Sequence, residues 1–213
     1  MAKLYFKFGA MGSSKSAQAL MTKFNYEEKN KNVFLMKPST DNRDDKVDEN
    51  GNTVAEVKSR IGLSAPAVTV GQNDDIIEMY LERNRSEPVD VIICDECQFL
   101  TEKQIEQMKD LADIYDVPVL CFGLRADFRT KLFPGSKRLF EIADSITEIK
   151  SVCRCGRKAT VNARLDGKGN ILTEGSQVMI GGNESYVGMC YKCYRKLIEE
   201  RDAKNKASET KHP

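Results

Sequence analysis

The sequence predicts an α/β fold: a parallel sheet with helices on both faces, followed by a smaller domain that starts near Lys150. Three observations point there. Short, almost wholly apolar runs alternate with longer stretches of helical period. A loop of small residues, Gly9-Ala10-Met11-Gly12-Ser13-Ser14-Lys15-Ser16, stands directly between the first run and the first helix. Beyond Lys150 the composition turns to paired cysteines and glycines. The resulting division is 1–149, 150–195 and a C-terminal helix end and tail at 196–213.

Strands are expected at Leu4–Phe8, Val33–Lys37, Val89–Cys94, Val117–Phe122 and Ile146–Val152, with helices over Lys15–Glu28, Asp74–Asn84, Thr101–Tyr115 and Ser136–Ala143. Thr101 and Gln104 have the spacing of a capping box, with Leu100 placed to staple the first turn. The first strand is expected at the sheet edge. Residues 38–65 interrupt the rhythm with a polar, turn-rich insertion, either a functional flap or a disordered excursion, in which Asn50-Gly51 suits a hairpin. Arg43 and Arg60 are its candidate phosphate contacts. In the second domain a β-like segment Ala159–Leu165 precedes a glycine-rich stretch Asp166–Gly188 and a cationic helix Tyr191–Lys204.

At 213 residues the chain can bury a substantial core. A net charge of +1 gives no field that would draw it to nucleic acid or to an anionic membrane. No apolar stretch approaches membrane-spanning length and the N-terminus does not read as a secretory signal, so a cytoplasmic location is expected. The seven cysteines are an odd number, and Cys94 and Cys121 sit inside apolar runs, which argues against a disulfide framework. The lone histidine, His212, lies in the tail and excludes histidine-based catalysis in a core site, leaving carboxylates as candidate bases.

The loop Gly9–Ser16 has the composition of a phosphate-binding turn, although Ser14 stands where the usual pattern has glycine. Backbone N–H groups would face phosphate oxygens over a helix N-terminus, Lys15 would reach the outer phosphates, and the Ser16 hydroxyl would ligate Mg²⁺. A plain flexible Ser/Gly loop is the bland alternative. The run Val91–Cys94 ends in Asp95-Glu96; consecutive strand residues point to opposite sides, so one carboxylate could serve the metal and the other take a proton. An ordinary acidic turn would look the same. Cys153-x-Cys155 and Cys190-x-x-Cys193 resemble a zinc ribbon with one unusually tight pair, against free thiols as the alternative. Such a four-thiolate site would be structural. Gly181-Gly182-Asn183 could let backbone groups read a planar base beside Tyr186, or could simply be a hairpin turn.

Taken together these residues resemble the cytosolic, zinc-containing (type II) thymidine kinase family. The resemblance runs from about Leu4 to Tyr194 and is most specific at Val-Asp-Val-Ile-Ile-Cys-Asp-Glu-Cys-Gln-Phe-Leu-Thr (89–101), Pro-Val-Leu-Cys-Phe-Gly-Leu-Arg-Ala-Asp-Phe-Arg (118–129) and Val-Met-Ile-Gly-Gly-Asn-Glu-Ser-Tyr-Val (178–187). It implies a RecA-like P-loop domain plus a small zinc-ribbon/lasso domain. It implies Glu96 as the base that deprotonates the 5′-hydroxyl of deoxythymidine, Asp95 as the residue serving the Mg²⁺ of ATP, and Arg43 as a phosphate contact. Met11, Phe99, Leu124 and Phe128 correspond to the apolar pocket around thymine, and Gln177, Val178, Met179, Ile180, Gly181 and Tyr186 to a lasso that reads the base. Zinc on Cys153, Cys155, Cys190 and Cys193 would hold the lasso. A homotetramer and feedback inhibition by deoxythymidine triphosphate are also implied. Two rivals share these motifs: a RecA-like ATPase whose zinc ribbon grips nucleic acid, and a non-catalytic nucleotide sensor in which Ser14 has spoiled the loop.

Overall fold

The computed structural model describes residues 1–43, 45–47, 51, 53–177 and 186–209, with side chains as far as 206. Val178, Met179, Ile180, Gly181, the rest of the Gly-Gly-Asn turn, Asn50 and His212 lie outside the described residues.

The chain divides into two compact units. The first comprises Met1–Gly9, Ser14–Arg125 and Leu132–Ile149; the second comprises Ala10–Ser13, Ala126–Lys131 and Lys150–Pro213. In the first unit β1 (Leu4–Phe8), α1 (Lys15–Glu27) and β2 (Val33–Pro38) come in order, followed by two small antiparallel hairpins. These pair β3 (Lys46–Val47) with β4 (Thr53–Val54), and β5 (Glu56–Lys58) with β6 (Ser64–Pro66). Then follow β7 (Val68–Val70), α2 (Ile76–Ser86), β8 (Val91–Cys94), α3 (Glu102–Asp113), β9 (Val119–Gly123), α4 (Pro134–Ile142) and β10 (Ser145–Glu148).

Six strands form one sheet in the order β10-β1-β9-β8-β2-β7, every neighbouring pair parallel. This is a RecA-like P-loop arrangement, in which one strand separates the loop-bearing β1 from the carboxylate-bearing β8. The expectation of an edge position for β1 is corrected: β10 covers its outer side along the whole strand. β7 is a strand that pattern reading missed, because three residues just after a polar insertion are too few to show a period. The strand expected over Ile146–Val152 stops at Glu148, where Phe8, the last residue of its one partner, also ends; the Ile149 N–H closes the ladder on the Phe8 carbonyl.

Burial follows the sheet. Leu4, Phe6, Met36, Ile92, Cys94, Val119 and Cys121 pack with α2, α3 and α4 in one cluster, while Leu35, Val91, Ile93, Leu120 and Phe122 pack with Ala19 and Leu20 of α1 in another. Alternate residues of each central strand thus feed opposite faces, which is why these strands are apolar throughout. Thr101 caps α3 in the expected capping box with Gln104. Pro134 begins α4 two residues earlier than expected, since its fixed φ suits a first helical position.

The insertion is a built flap. Lys37, fully buried in β2, donates to the Asp45 carboxylate at 2.6 Å and to the Glu56 carbonyl at 2.8 Å, so one ammonium ties both ends of the first hairpin to the sheet. These two contacts offset the cost of taking an ammonium out of water.

The second unit holds an antiparallel sheet, β12 (Ile171–Leu172), β11 (Val161–Leu165) and β13 (Tyr186–Met189), in the order β12-β11-β13, together with α5 (Tyr191–Glu209). Its core gathers Ala10, Ala159, Val161, Ala163, Ile171, Met189 and Tyr194 around Cys153 and Cys190.

Candidate active site

The loop after β1 turns through two left-handed residues, Gly12 (φ 76°) and Ser14 (φ 62°, ψ 30°). Ser14 N-caps α1 without any side-chain cap bond, and the first turn of α1 contains no acidic residue. A helix end with neither a side-chain cap nor an acidic first turn suits an external anion. The serine in place of glycine still takes the backbone shape that the glycine pattern requires.

Lys15, at the start of α1, is buried; burial lowers its pKa, and nearby Glu96 and Asp95 partly offset that. Both carboxylates thus act on one ammonium. β8 ends at Cys94 and Glu96 adopts a left-handed conformation (φ 51°), so the strand alternation behind the expected opposition of Asp95 and Glu96 does not extend to this pair. Their partners nevertheless differ. Asp95 lies close enough to the Ser16 hydroxyl for that group to favour its ionised form, and its Oδ1 is buried without a hydrogen-bond partner. Burial and the neighbouring Glu96 push its carboxyl up to about 7, against the opposing pull of Ser16 and Lys15. An orphaned buried oxygen beside a hydroxyl is the donor set a hard divalent cation takes, so Ser16 and Asp95 fit Mg²⁺.

Glu96 accepts from Arg43 Nη2 at 3.0 Å on Oε1 and from Gln98 Nε2 on Oε2. Burial alone would raise its pKa, but Arg43, Lys15 and Gln98 outweigh that and hold it below the ordinary carboxylate value. Arg43 is in turn oriented by Asp41 at 2.5 Å, so the flap delivers its guanidinium to the carboxylate at the end of β8. Arg60, the second flap candidate, is exposed and close enough to Lys15 to lower its pKa.

Gln98 is a residue that the sequence reading quoted but assigned no role. Almost fully buried, it donates to Glu96 and accepts the Leu124 N–H at 2.9 Å, locking the ends of β8 and β9 together. Gly123 is required beside it, since a Cβ there would lie 2.6 Å from Gln98 Oε1 and 2.7 Å from Cys97 Sγ. Leu124 is further fixed by Ser136, whose hydroxyl donates to its carbonyl. Phe99 packs edge-on against Phe133 at 5.5 Å.

In the second unit Met11 donates its N–H to Asn162 Oδ1 at 2.8 Å. Phe128 is fully buried, and the Arg164 guanidinium lies 5.0 Å from its ring and 5.8 Å from that of Tyr186. Tyr194 donates its hydroxyl to the Phe128 carbonyl at 2.8 Å, and Gln177 donates to Asp127 at 3.2 Å. Met11, Phe128, Gln177 and Tyr186 therefore share this unit, while Phe99 and Leu124 belong to the first.

The sulfurs of Cys153, Cys155, Cys190 and Cys193 all lie within 4.8 Å of one another, with Cys155 and Cys190 at 3.6 Å. A tetrahedral zinc with Zn–S of about 2.3 Å sets its sulfurs about 3.8 Å apart, so the four thiols fit that ion. The short Cys-x-Cys pair is accommodated by a tight knuckle in which Gly156 (φ 84°) donates to the Cys153 carbonyl, and the Arg157 carbonyl accepts from Cys153.

A family model for thymidine kinase matches residues 2–194. This chain belongs to the thymidine kinase family. Within the family, the thymidine kinase of Photorhabdus laumondii is 43% identical over 208 residues, covering 98% of this chain and 100% of that protein. Those of Shewanella oneidensis (42% over 198 residues, 93% and 99%) and Ruegeria pomeroyi (41% over 204 residues, 96% and 99%) are similar to the same extent. No helix among the described residues is long and apolar enough to cross a membrane.

Proposed function

We propose that this chain transfers the γ-phosphoryl group of ATP to the 5′-hydroxyl of deoxythymidine, giving deoxythymidine monophosphate and ADP. The observation that carries the reading is the convergence, within one unit, of an ammonium, two carboxylates and a guanidinium at the end of the phosphate-loop helix: Lys15, Asp95, Glu96 and Arg43. The uncapped α1 N-terminus and Lys15 receive the donor phosphates. Ser16 and Asp95 would hold Mg²⁺, which when bound would supply charge neutralisation to the donor phosphates.

Glu96 stays ionised at neutral pH and serves as the base. Each of its oxygens accepts one hydrogen bond from the protein, leaving a second lone pair for the sugar hydroxyl. A carboxylate of depressed pKa is a weak base. It suffices because the transition state for phosphoryl transfer is loose and the hydroxyl proton leaves late. The 5′-oxygen forms its bond to the γ-phosphorus as the bond to the β-phosphate oxygen breaks, and the proton passes to Glu96. Arg43, held between Asp41 and Glu96, can swing its charge to the transferring group, so most of the rate comes from positioning and charge neutralisation.

In the same reading Met11, Phe99, Leu124 and Phe128 enclose the thymine, and the lasso from Gln177 to Tyr186 reads its edge. Zinc on the four cysteines would anchor the lasso. The protein is cytoplasmic and homotetrameric, and deoxythymidine triphosphate inhibits it by spanning the donor and acceptor phosphate sites. The test is transfer of label from γ-labelled ATP to a panel of deoxynucleosides, with deoxythymidine expected to dominate. ATP hydrolysis stimulated by DNA, with no labelled nucleotide formed, would establish the nucleic-acid-dependent ATPase instead.

A further inference from the structure

Asn162 and Gly188 are directly paired across β11 and β13, and both meet the same residue of the loop after β1, Met11. Asn162, almost fully buried, accepts the Met11 N–H on Oδ1 at 2.8 Å and donates from Nδ2 to the Ala126 carbonyl at 2.8 Å. One partner is an N–H and the other a C=O, so only this orientation of the carboxamide satisfies both. On the opposite strand, Gly188 has no side chain where a Cβ would stand 2.5 Å from the Met11 carbonyl oxygen and 3.5 Å from the Ala10 Cβ. The Met11 residue is thus gripped at its N–H and hemmed in at its C=O by one cross-strand pair. Ser151 adds a long 3.4 Å hydrogen bond to the Gly12 carbonyl next along the loop. Ala126, held by the other end of the same carboxamide, starts the segment that carries Phe128.

We propose that Asn162, with Gly188 opposite it, is a positioning residue for the phosphate-donor loop, fixing the Ala10–Ser13 arm through Met11 and, through Ala126, the segment bearing Phe128. Neither residue touches the reacting atoms. β13 is the strand through which this grip connects to its neighbours: Tyr186 begins it and Cys190 follows its end, so loop, lasso end and metal knuckle meet along four residues of chain. This inference rests on the kinase reading for the identity of the donor. Its test reads nucleotide binding directly, so it fails or stands separately from that reading.

The experiment compares the wild type with Asn162→Ala, Asn162→Asp, Gly188→Ala and the Asn162→Ala/Gly188→Ala double variant. Mg-ATP affinity is measured by calorimetry, alongside kcat and KM for both substrates, metal content and melting temperature. Asn162→Ala takes their partner from a part-buried N–H and a buried C=O, and a loop that must be re-formed on binding should lose about tenfold in Mg-ATP affinity. Asn162→Asp keeps an acceptor for Met11 in either protonation state and should recover that affinity to within about threefold of wild type. Gly188→Ala should match Asn162→Ala, and the double variant should lose less than the product of the two, because both act on one residue, Met11. Metal-replete variants that bind Mg-ATP within about twofold of wild type, or penalties that simply multiply, would overturn the proposal. If Gly188→Ala cannot fold, the Asn162 pair alone decides. A wild type that binds Mg-ATP but phosphorylates no deoxynucleoside would instead count against the kinase reading.

Discussion

Replacing Ser14 by glycine tests whether the loop stores backbone strain. Ser14 sits at φ 62°, ψ 30°, the left-handed region in which an L-residue's Cβ crowds the neighbouring carbonyl at a cost of roughly 1–2 kcal/mol. Its exposed hydroxyl makes no cap bond, so removing it forfeits nothing in the folded state. Glycine relieves the crowding but returns about 0.5–1 kcal/mol through the greater freedom of the unfolded chain. The net expectation is a gain of about 0.5–1 kcal/mol, or roughly 1–4 °C in melting temperature for a chain of this size. Scanning calorimetry of Ser14→Gly, Ser14→Ala and Ser14→Val should give a rise, no change and a fall respectively, since alanine keeps the strain and valine adds β-branching to it. Mg-ATP affinity should move by less than about threefold, because the loop already has its binding shape. Equal shifts for the glycine and alanine variants, or a glycine variant that melts lower, would refute the strain argument.

Three other outcomes follow from the same site. Glu96→Gln should cut turnover by about a hundredfold or more while deoxythymidine affinity in a binding titration stays within a few-fold, and unimpaired turnover would remove Glu96 as the base. Because the Asp95 carboxyl is pushed up to about 7, the folded protein holds a proton that the unfolded chain has already released, and Asp95 subtracts stability as pH rises from the ordinary carboxyl range towards 7. Asp95→Asn should therefore flatten the fall in stability of the ligand-free protein over that window while impairing Mg-dependent turnover; parallel stability curves for the two proteins would contradict it. Finally, Cys190→Ser or a strong chelator should remove one equivalent of zinc and deoxythymidine binding together, since Cys190 immediately follows β13, and full nucleoside binding by metal-free protein would show the knuckle to be dispensable.

The primary sequence alone determined the layered α/β class, the loop of small residues before α1, the Asp95-Glu96 pair and the four cysteines. Each is written in local signals: apolar runs, small residues before a helix, carboxylates ending a strand, thiols at ligand spacing. The thymine-contact set came from resemblance to a family rather than from any physical signal in the chain. Only the tertiary structure decided that β1 lies inside the sheet, because strand order depends on crossovers that no local pattern records. It alone gave Glu96 a positive φ just past the end of β8, which a carboxylate residue does not announce, and set its two oxygens against Arg43 and Gln98. Lys37, Gln98, Asn162 and Gly188 were equally silent: a buried polar residue and a solvent-facing one are the same letter, and a glycine tells nothing of what approaches it. Their meaning comes from partners 19 residues away for Lys37 and 151 for Asn162, and such pairings exist only once the chain has folded.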